Sequence, residues 1–248
     1  MKLSRSLRAD RGSRQQALTP GQLADTWQSA SLLLDYPEAG LAEQLVLVQR
    51  VGKALPASVG QPLTACAERL AGVPLRELQE EYVDTFDNRR RHNLFLTYFA
   101  HGDTRKRGVA LLRFKQTYLQ AGVELDESTA GGAELPDHLC VVLEFAATVD
   151  QQAGRQLMLD HRAGLELLRL SLAEADSRWA GAVEAVTATL PALHGDDMDA
   201  VRRLAAEGPP EEEVGLTPYA TPMFDPGPAR PDPSAPVALP MPTFPGGR

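Results

Sequence analysis

The sequence predicts an all-α protein: a single-domain, compact helical bundle over residues 18–207, between two disordered tails at 1–17 and 208–248. Two observations carry this. Apolar residues recur at three- and four-residue spacing from residue 19 to about 205, the period of one helix face. No strand-length alternation of apolar and polar residues competes with that pattern, and no Asn-Gly or Asp-Gly hairpin signal occurs.

Thr19-Pro20-Gly21-Gln22 reads as a capping box with proline at the first helical position. Leu23, Trp27, Ala30 and Leu34 then share one face. Asp35-Tyr36-Pro37-Glu38 is expected to restart a helix whose buried side carries Leu41, Leu45, Val48 and Val51. Leu63, Cys66 and Leu70 mark a third, short helix, and Leu75, Leu78, Tyr82 and Phe86 the stripe of a fourth. Asp103 is expected to cap a helix carrying Leu111, Phe114, Tyr118 and Ala121, stopped by Gly122. A loop rich in small and polar residues follows, from Glu127 to Ala133. The next helix is expected to start near Pro136 and to carry Leu139, Val142, Leu143 and Ala146. Leu157, Leu165, Leu168 and Leu172 predict one long helix. Trp179, Val183, Val186 and Leu190 predict the last well-patterned one, closed by Pro191, with a weaker helix over 197–207.

The tails differ in composition from this body. Lys2, Arg5, Arg8, Arg11 and Arg14 make the N-terminus basic, but no apolar stretch follows to make it an export signal. It reads as a disordered tail, with attraction to an anionic membrane surface as the alternative. Twelve of the 19 prolines lie in residues 209–248, and proline offers no backbone donor for helix or sheet. Met223, Phe224, Leu239, Met241 and Phe244 interrupt that tail, as ordinary residues of a disordered segment or as weak docking points.

Composition excludes several functions. Acidic residues outnumber basic ones 33 to 25, for a formal net charge of −8, so nucleic acid is not an expected partner. No apolar run approaches the ~18 residues that a membrane-spanning helix needs, so no stable membrane insertion is expected. Cys66 and Cys140 lie far apart among apolar residues, which suits buried thiols in a reducing cytoplasm rather than a zinc site. The histidines at 92, 101, 138, 161 and 194 form no HxxxH or HExxH spacing, and no glycine-rich phosphate loop occurs. Asp196-Asp197-Met198-Asp199 lacks the glycine and distal glutamate of a calcium loop and reads as a helix start.

Two segments are informative. Between Arg89 and Arg107 there are six basic residues and one acid, Asp103. Arg105, Lys106 and Arg107 fall in a first helical turn, where the helix dipole disfavours cations by about 0.3–1 kcal/mol each. Compensation is expected either from internal partners such as Asp84, Asp87 or Glu144, or from the acids of a partner protein. In Glu134-Leu135-Pro136-Asp137-His138, Pro136 suits a first turn and Asp137 the N-terminal dipole. His138 either hydrogen-bonds locally or projects into a groove. Glu134 and His138 stand four apart, but no second such pair completes the helical-bundle active site that an enzyme, for example a hydrolase, would need.

Together these segments resemble the NarJ-type nitrate reductase assembly chaperones, within the TorD/DmsD group of redox-enzyme maturation proteins. The resemblance runs over roughly residues 24–195. It rests on Ser31-Leu32-Leu33-Leu34-Asp35-Tyr36-Pro37, Tyr82-Val83-Asp84-Thr85-Phe86-Asp87, Leu96-Thr97-Tyr98 and Gly102-Asp103-Thr104-Arg105-Lys106-Arg107-Gly108. It continues through Leu111-Leu112-Arg113-Phe114-Lys115, Tyr118, Glu134-Leu135-Pro136-Asp137-His138-Leu139 and Val142-Leu143-Glu144-Phe145-Ala146. Cys140 stands where that family's pattern has proline.

The resemblance implies a TorD-like all-helical fold, no catalysis and no cofactor held by the chaperone itself. It implies a cytoplasmic protein that binds the apo catalytic (alpha) subunit of respiratory nitrate reductase, notably its N-terminal segment, which resembles a twin-arginine leader in related enzymes. The subunit is held while molybdenum cofactor and iron–sulfur centres are inserted, before membrane docking. A client helix lying in a groove would use apolar anchors for affinity and charged rim residues for orientation. Tyr82, Phe86 and Tyr98 are expected to line or support that groove, with Tyr82 and Phe86 as plain core residues the alternative. Arg105, Arg107, Asp137 and His138 are expected near it. A maturation chaperone or helical scaffold for another molybdoenzyme is the alternative function.

Overall fold

The computed structural model describes residues 17–125 and 135–208. The two tails beyond these, the loop over 127–133 and Glu134 lie outside the described residues. Everything described belongs to one of the two compact units into which the chain divides, Met1–Glu212.

Eleven α-helices make up the described fold. Helix α1 (Pro20–Leu34) begins at the capping box: Thr19 Oγ1 accepts from Gln22 N at 3.2 Å, and Gln22 Oε1 accepts from Thr19 N at 2.9 Å. Asp35 caps the end of α1 and does not restart a helix. Pro37 and Glu38 precede a turn, and α2 (Leu41–Ala54) starts after Gly40. Helix α3 spans Ala57–Leu70 and α4 Leu75–Tyr82. The apolar stripe of α4 runs on to Phe86, but Val83–Asp87 winds as a π-helical turn, so the predicted single helix changes register there. A 3₁₀ turn at Arg90–His92 leads to the short α5 (Tyr98–His101).

Helix α6 covers Arg105–Gln120, with Thr104 rather than Asp103 at its cap. Helix α7 (Leu139–Thr148) starts three residues later than Pro136 suggests, with His138 at its cap. The predicted long helix is two: α8 (Gln151–Asp160) and α9 (Arg162–Glu174), broken at His161. Helices α10 (Ala180–Ala188) and α11 (Asp196–Glu207) complete the fold.

Helix α1 lies at the centre, packed on α7, α10 and α3, with α2 folded back on α3 and α11 on α9. Trp27, Trp179, Phe114 and Tyr118 are the largest buried side chains. The Trp27 indole N–H donates to Thr189 Oγ1 at 2.9 Å, tying α1 to the end of α10. Helices α3 and α10 approach closely at Gly181, where a Cβ would lie 2.3 Å from the Pro62 carbonyl oxygen. No described helix is long and apolar enough to cross a membrane.

Candidate functional site

Two loops far apart in sequence meet in front of α6 and α7. Leu96 N donates to the Asp137 carbonyl at 3.0 Å and Leu139 N to the Leu94 carbonyl at 2.9 Å, pairing Phe95 with His138 in one antiparallel bridge. The Tyr118 hydroxyl, from α6, donates to the Pro136 carbonyl at 2.6 Å and holds the second loop from behind.

Asp137 anchors this junction. Its side chain is fully buried, and Oδ2 accepts from Thr97 Oγ1 at 2.5 Å and from Thr97 N at 3.2 Å. Arg107 closes the set. Its Nε donates to Thr97 Oγ1 at 3.2 Å and Nη1 to Asp103 at 3.2 Å, while Nη2 stands 3.6 Å from Asp137 Oδ2. Its guanidinium lies over the Phe95 ring, 5.1 Å from the centroid, close enough for cation–π attraction. These neighbours answer the helix dipole for Arg107, through Asp103 and Asp137 rather than Asp84, Asp87 or Glu144. Asp137 is therefore not a surface partner of the α7 dipole. It is the acceptor that locks Thr97 and, through it, the loop before α5.

His138 sits edge-on to Phe95, ring centroids 5.1 Å apart. Burial pushes its pKa below the ordinary 6.5, and the carboxylates of Asp35, Asp137 and Asp87 only oppose that shift. Asp35 and Asp87 also act on Tyr82, whose hydroxyl is raised first by burial, then by Cys140 and these two acids. Asp35, after α1, and Asp87, in the π turn, thus both lie within electrostatic range of Tyr82 and His138.

Tyr82 is at its base. Its hydroxyl donates to the Leu34 carbonyl at 2.9 Å, and its ring contacts Tyr36, Phe86 and Trp179 at centroid distances of 5.4, 4.7 and 5.7 Å. Tyr36 is the exposed member, at 43%. Tyr82 and Phe86 are buried and form the floor beneath it.

The residues singled out from sequence fall into two adjoining groups. Arg107, Asp137 and His138 share the loop junction. Tyr82 and Phe86 belong to the aromatic cluster. Tyr98 is buried against Phe99, one residue from Thr97, and Arg105 is exposed at the start of α6. Thr97, Phe95, Asp35 and Tyr36 were within the resembling or neighbouring segments but carried no role on their own. A buried threonine acting through a carboxylate 40 residues away has no local signature. Among the described residues, no group of three or more His, Cys, Asp or Glu is arranged to hold a metal ion.

The described body is all-helical, the fold class that the resemblance to the maturation-chaperone group implies. Comparison with known proteins narrows this. The family described as nitrate reductase delta subunit matches residues 53–185, and the chain belongs to that family. The chain is 33% identical over 169 residues to the probable nitrate reductase molybdenum cofactor assembly chaperone NarJ of Bacillus subtilis (66% of this chain, 88% of that protein). It is 31% identical over 153 residues to the nitrate reductase molybdenum cofactor assembly chaperone NarJ of Escherichia coli K12 (60% and 63%). It is also 41% identical over 174 residues to the nitrate reductase-like protein NarX of Mycobacterium tuberculosis, where the match covers 66% of this chain but 24% of that longer protein.

Proposed function

We propose that this chain is an assembly chaperone of respiratory nitrate reductase. It binds the apo catalytic subunit, including its N-terminal segment, in the cytoplasm. It holds that subunit for molybdenum cofactor and iron–sulfur insertion before membrane docking, and has no catalysis of its own. Family membership and the names of the NarJ relatives support the general role. The observation that carries the binding mode is the acidic, aromatic neighbourhood of Asp35, Tyr36, Tyr82, Asp87 and His138.

A basic, apolar helical segment suits that neighbourhood. Its apolar side chains meet Tyr36 above the Tyr82 and Phe86 floor, and its cations meet Asp35 and Asp87. Charges at the rim set orientation and association rate more than affinity. His138 borders the site directly. Asp137, Arg107 and Thr97 act on it by fixing the two paired loops that carry His138 and Phe95, and Tyr98 follows the Phe95 loop. Arg105 flanks it from α6.

Calorimetric titration of the full chain with a peptide of the nitrate reductase alpha subunit's N-terminal residues tests this. Binding at micromolar Kd or tighter is expected, with a negative heat-capacity change from apolar burial. Asp35→Ala with Asp87→Ala, and His138→Ala separately, should each weaken it about tenfold. A folded protein that does not bind the peptide would overturn the proposal.

A further inference from the structure

The outer face of α6 is the other unusual surface. Besides Arg107, which faces the loop junction, the helix carries Arg105, Lys106, Arg113 and Lys115 and no acidic residue, in a chain whose formal net charge is −8. Only Phe114 and Tyr118 are buried, so α6 holds to the body along one stripe and presents the rest. On the presented side Val109 is 71% exposed, Leu112 55% and Leu119 57%. Their spacing of i, i+3 and i+10 gathers them on one helical face. Scattered exposed aliphatic residues are ordinary on a soluble protein. Three on one face, in a helix with cations on both sides of them, form a continuous amphipathic surface.

Charge and chemistry decide what fits. A second copy of this chain would set one all-cationic helix against another, and like charges across an interface are disfavoured. An anionic membrane would attract the cations. However, interfacial binding scales with buried apolar area, and this stripe has three aliphatic side chains and no exposed aromatic one. An acidic protein segment meets both requirements: carboxylates for the flanking cations and aliphatic side chains for Val109, Leu112 and Leu119. Arg113 already shows the pairing such a partner would offer, since it donates to Asp160 at 2.5 Å while 64% of its side chain stays exposed.

We infer that the outer face of α6 docks an acidic amphipathic helix of a partner protein, on a surface separate from the acidic site at Tyr36, Tyr82 and His138. The two faces have opposite charge, so one chain can hold a basic and an acidic segment at once.

The test uses the full chain and three designed 16-residue peptides. All have leucine at i, i+3, i+7 and i+10, with glutamate, lysine or serine at the flanking positions. Anionic phosphatidylglycerol vesicles are the fourth probe. Binding is read by fluorescence anisotropy (by co-sedimentation for the vesicles) and mapped by amide chemical shifts. The glutamate peptide is expected to bind at sub-millimolar Kd, to shift the amides of α6, and to weaken at least fivefold in 0.5 M salt. Val109→Asp with Leu112→Asp should weaken it at least tenfold. If that variant proves unfolded by circular dichroism, Lys106→Glu with Gln116→Glu at the exposed surface serves instead, with the same loss expected. Neither change should alter binding of the nitrate reductase N-terminal peptide, which separates failure here from failure of the proposed function. Equal binding of lysine and glutamate peptides, or an unchanged affinity in a folded variant, overturns the inference. Vesicle binding without glutamate-peptide binding also overturns it and assigns the face to membrane. Concentration-dependent dimerisation abolished by Val109→Asp overturns it in favour of a second copy.

Discussion

The junction of Thr97, Asp137 and Arg107 should behave as one energetic unit. Thr97→Val keeps the shape of the side chain but removes the hydroxyl that donates to Asp137 at 2.5 Å and accepts from Arg107 Nε at 3.2 Å. Hydrogen bonds to charged groups contribute roughly 1.5–3 kcal/mol, so a loss of about 2 kcal/mol is expected. Asp137→Ala leaves the Arg107 guanidinium, whose side chain is 15% exposed, with the exposed Asp103 as its one remaining counter-charge among the described residues. Removing one partner of a buried pair costs roughly 3–5 kcal/mol, and Asp103 places the expected loss near the lower end, at about 3 kcal/mol. The double variant should fall short of additivity by roughly 1–2 kcal/mol, because each single change already removes the shared hydrogen bond. Urea denaturation with constant m-value measures all four corners of the cycle. Additivity within about 0.5 kcal/mol would refute the shared junction, as would an Asp137→Ala protein as stable as the parent.

Other expectations follow from single environments. His92, His138 and His161 all have pKa values lowered first by burial, below the ordinary 6.5. The unfolded chain therefore binds more protons below that pH. Stability is fully present above about pH 6.5 and declines as pH falls toward the lower folded values, and His161→Gln should flatten the decline measured by urea denaturation at several pH values. Burial pushes the Cys66 thiol up to about 12, so it should resist alkylation at pH 8 until the protein is unfolded, as mass spectrometry would show. A Cβ at Gly181 would lie 2.3 Å from the Pro62 carbonyl oxygen, so Gly181→Ala should cost about 1–3 kcal/mol. Gly108, in α6 with nothing within 4 Å of its Cβ position, should instead stabilise by about 0.5–1 kcal/mol on changing to Ala. Thermal unfolding of both glycine variants checks the opposite signs.

What the sequence determined by itself is whatever depends on residues within a turn or two of each other. The capping box of Thr19 and Gln22 starts α1 where it reads, and Leu63, Cys66 and Leu70 lie on the buried side of α3. The aromatic and acidic segments that carry the family resemblance are equally legible. Positions that needed a distant partner were not. His161 interrupts a helical apolar pattern with neither proline nor glycine, and its ring rests on Phe114 at 5.3 Å, a contact no local spacing encodes. Asp137 suits a nearby helix N-terminus in sequence, yet its carboxylate is buried against Thr97, a partner 40 residues earlier. Asp35 and Asp87 both act on Tyr82 and His138, and only the tertiary fold brings these segments within electrostatic range of one another. Periodicity and capping are short-range energies that recur in any context. Which buried charge finds which donor is a balance between desolvation and pairing, and only the packed tertiary structure decides it.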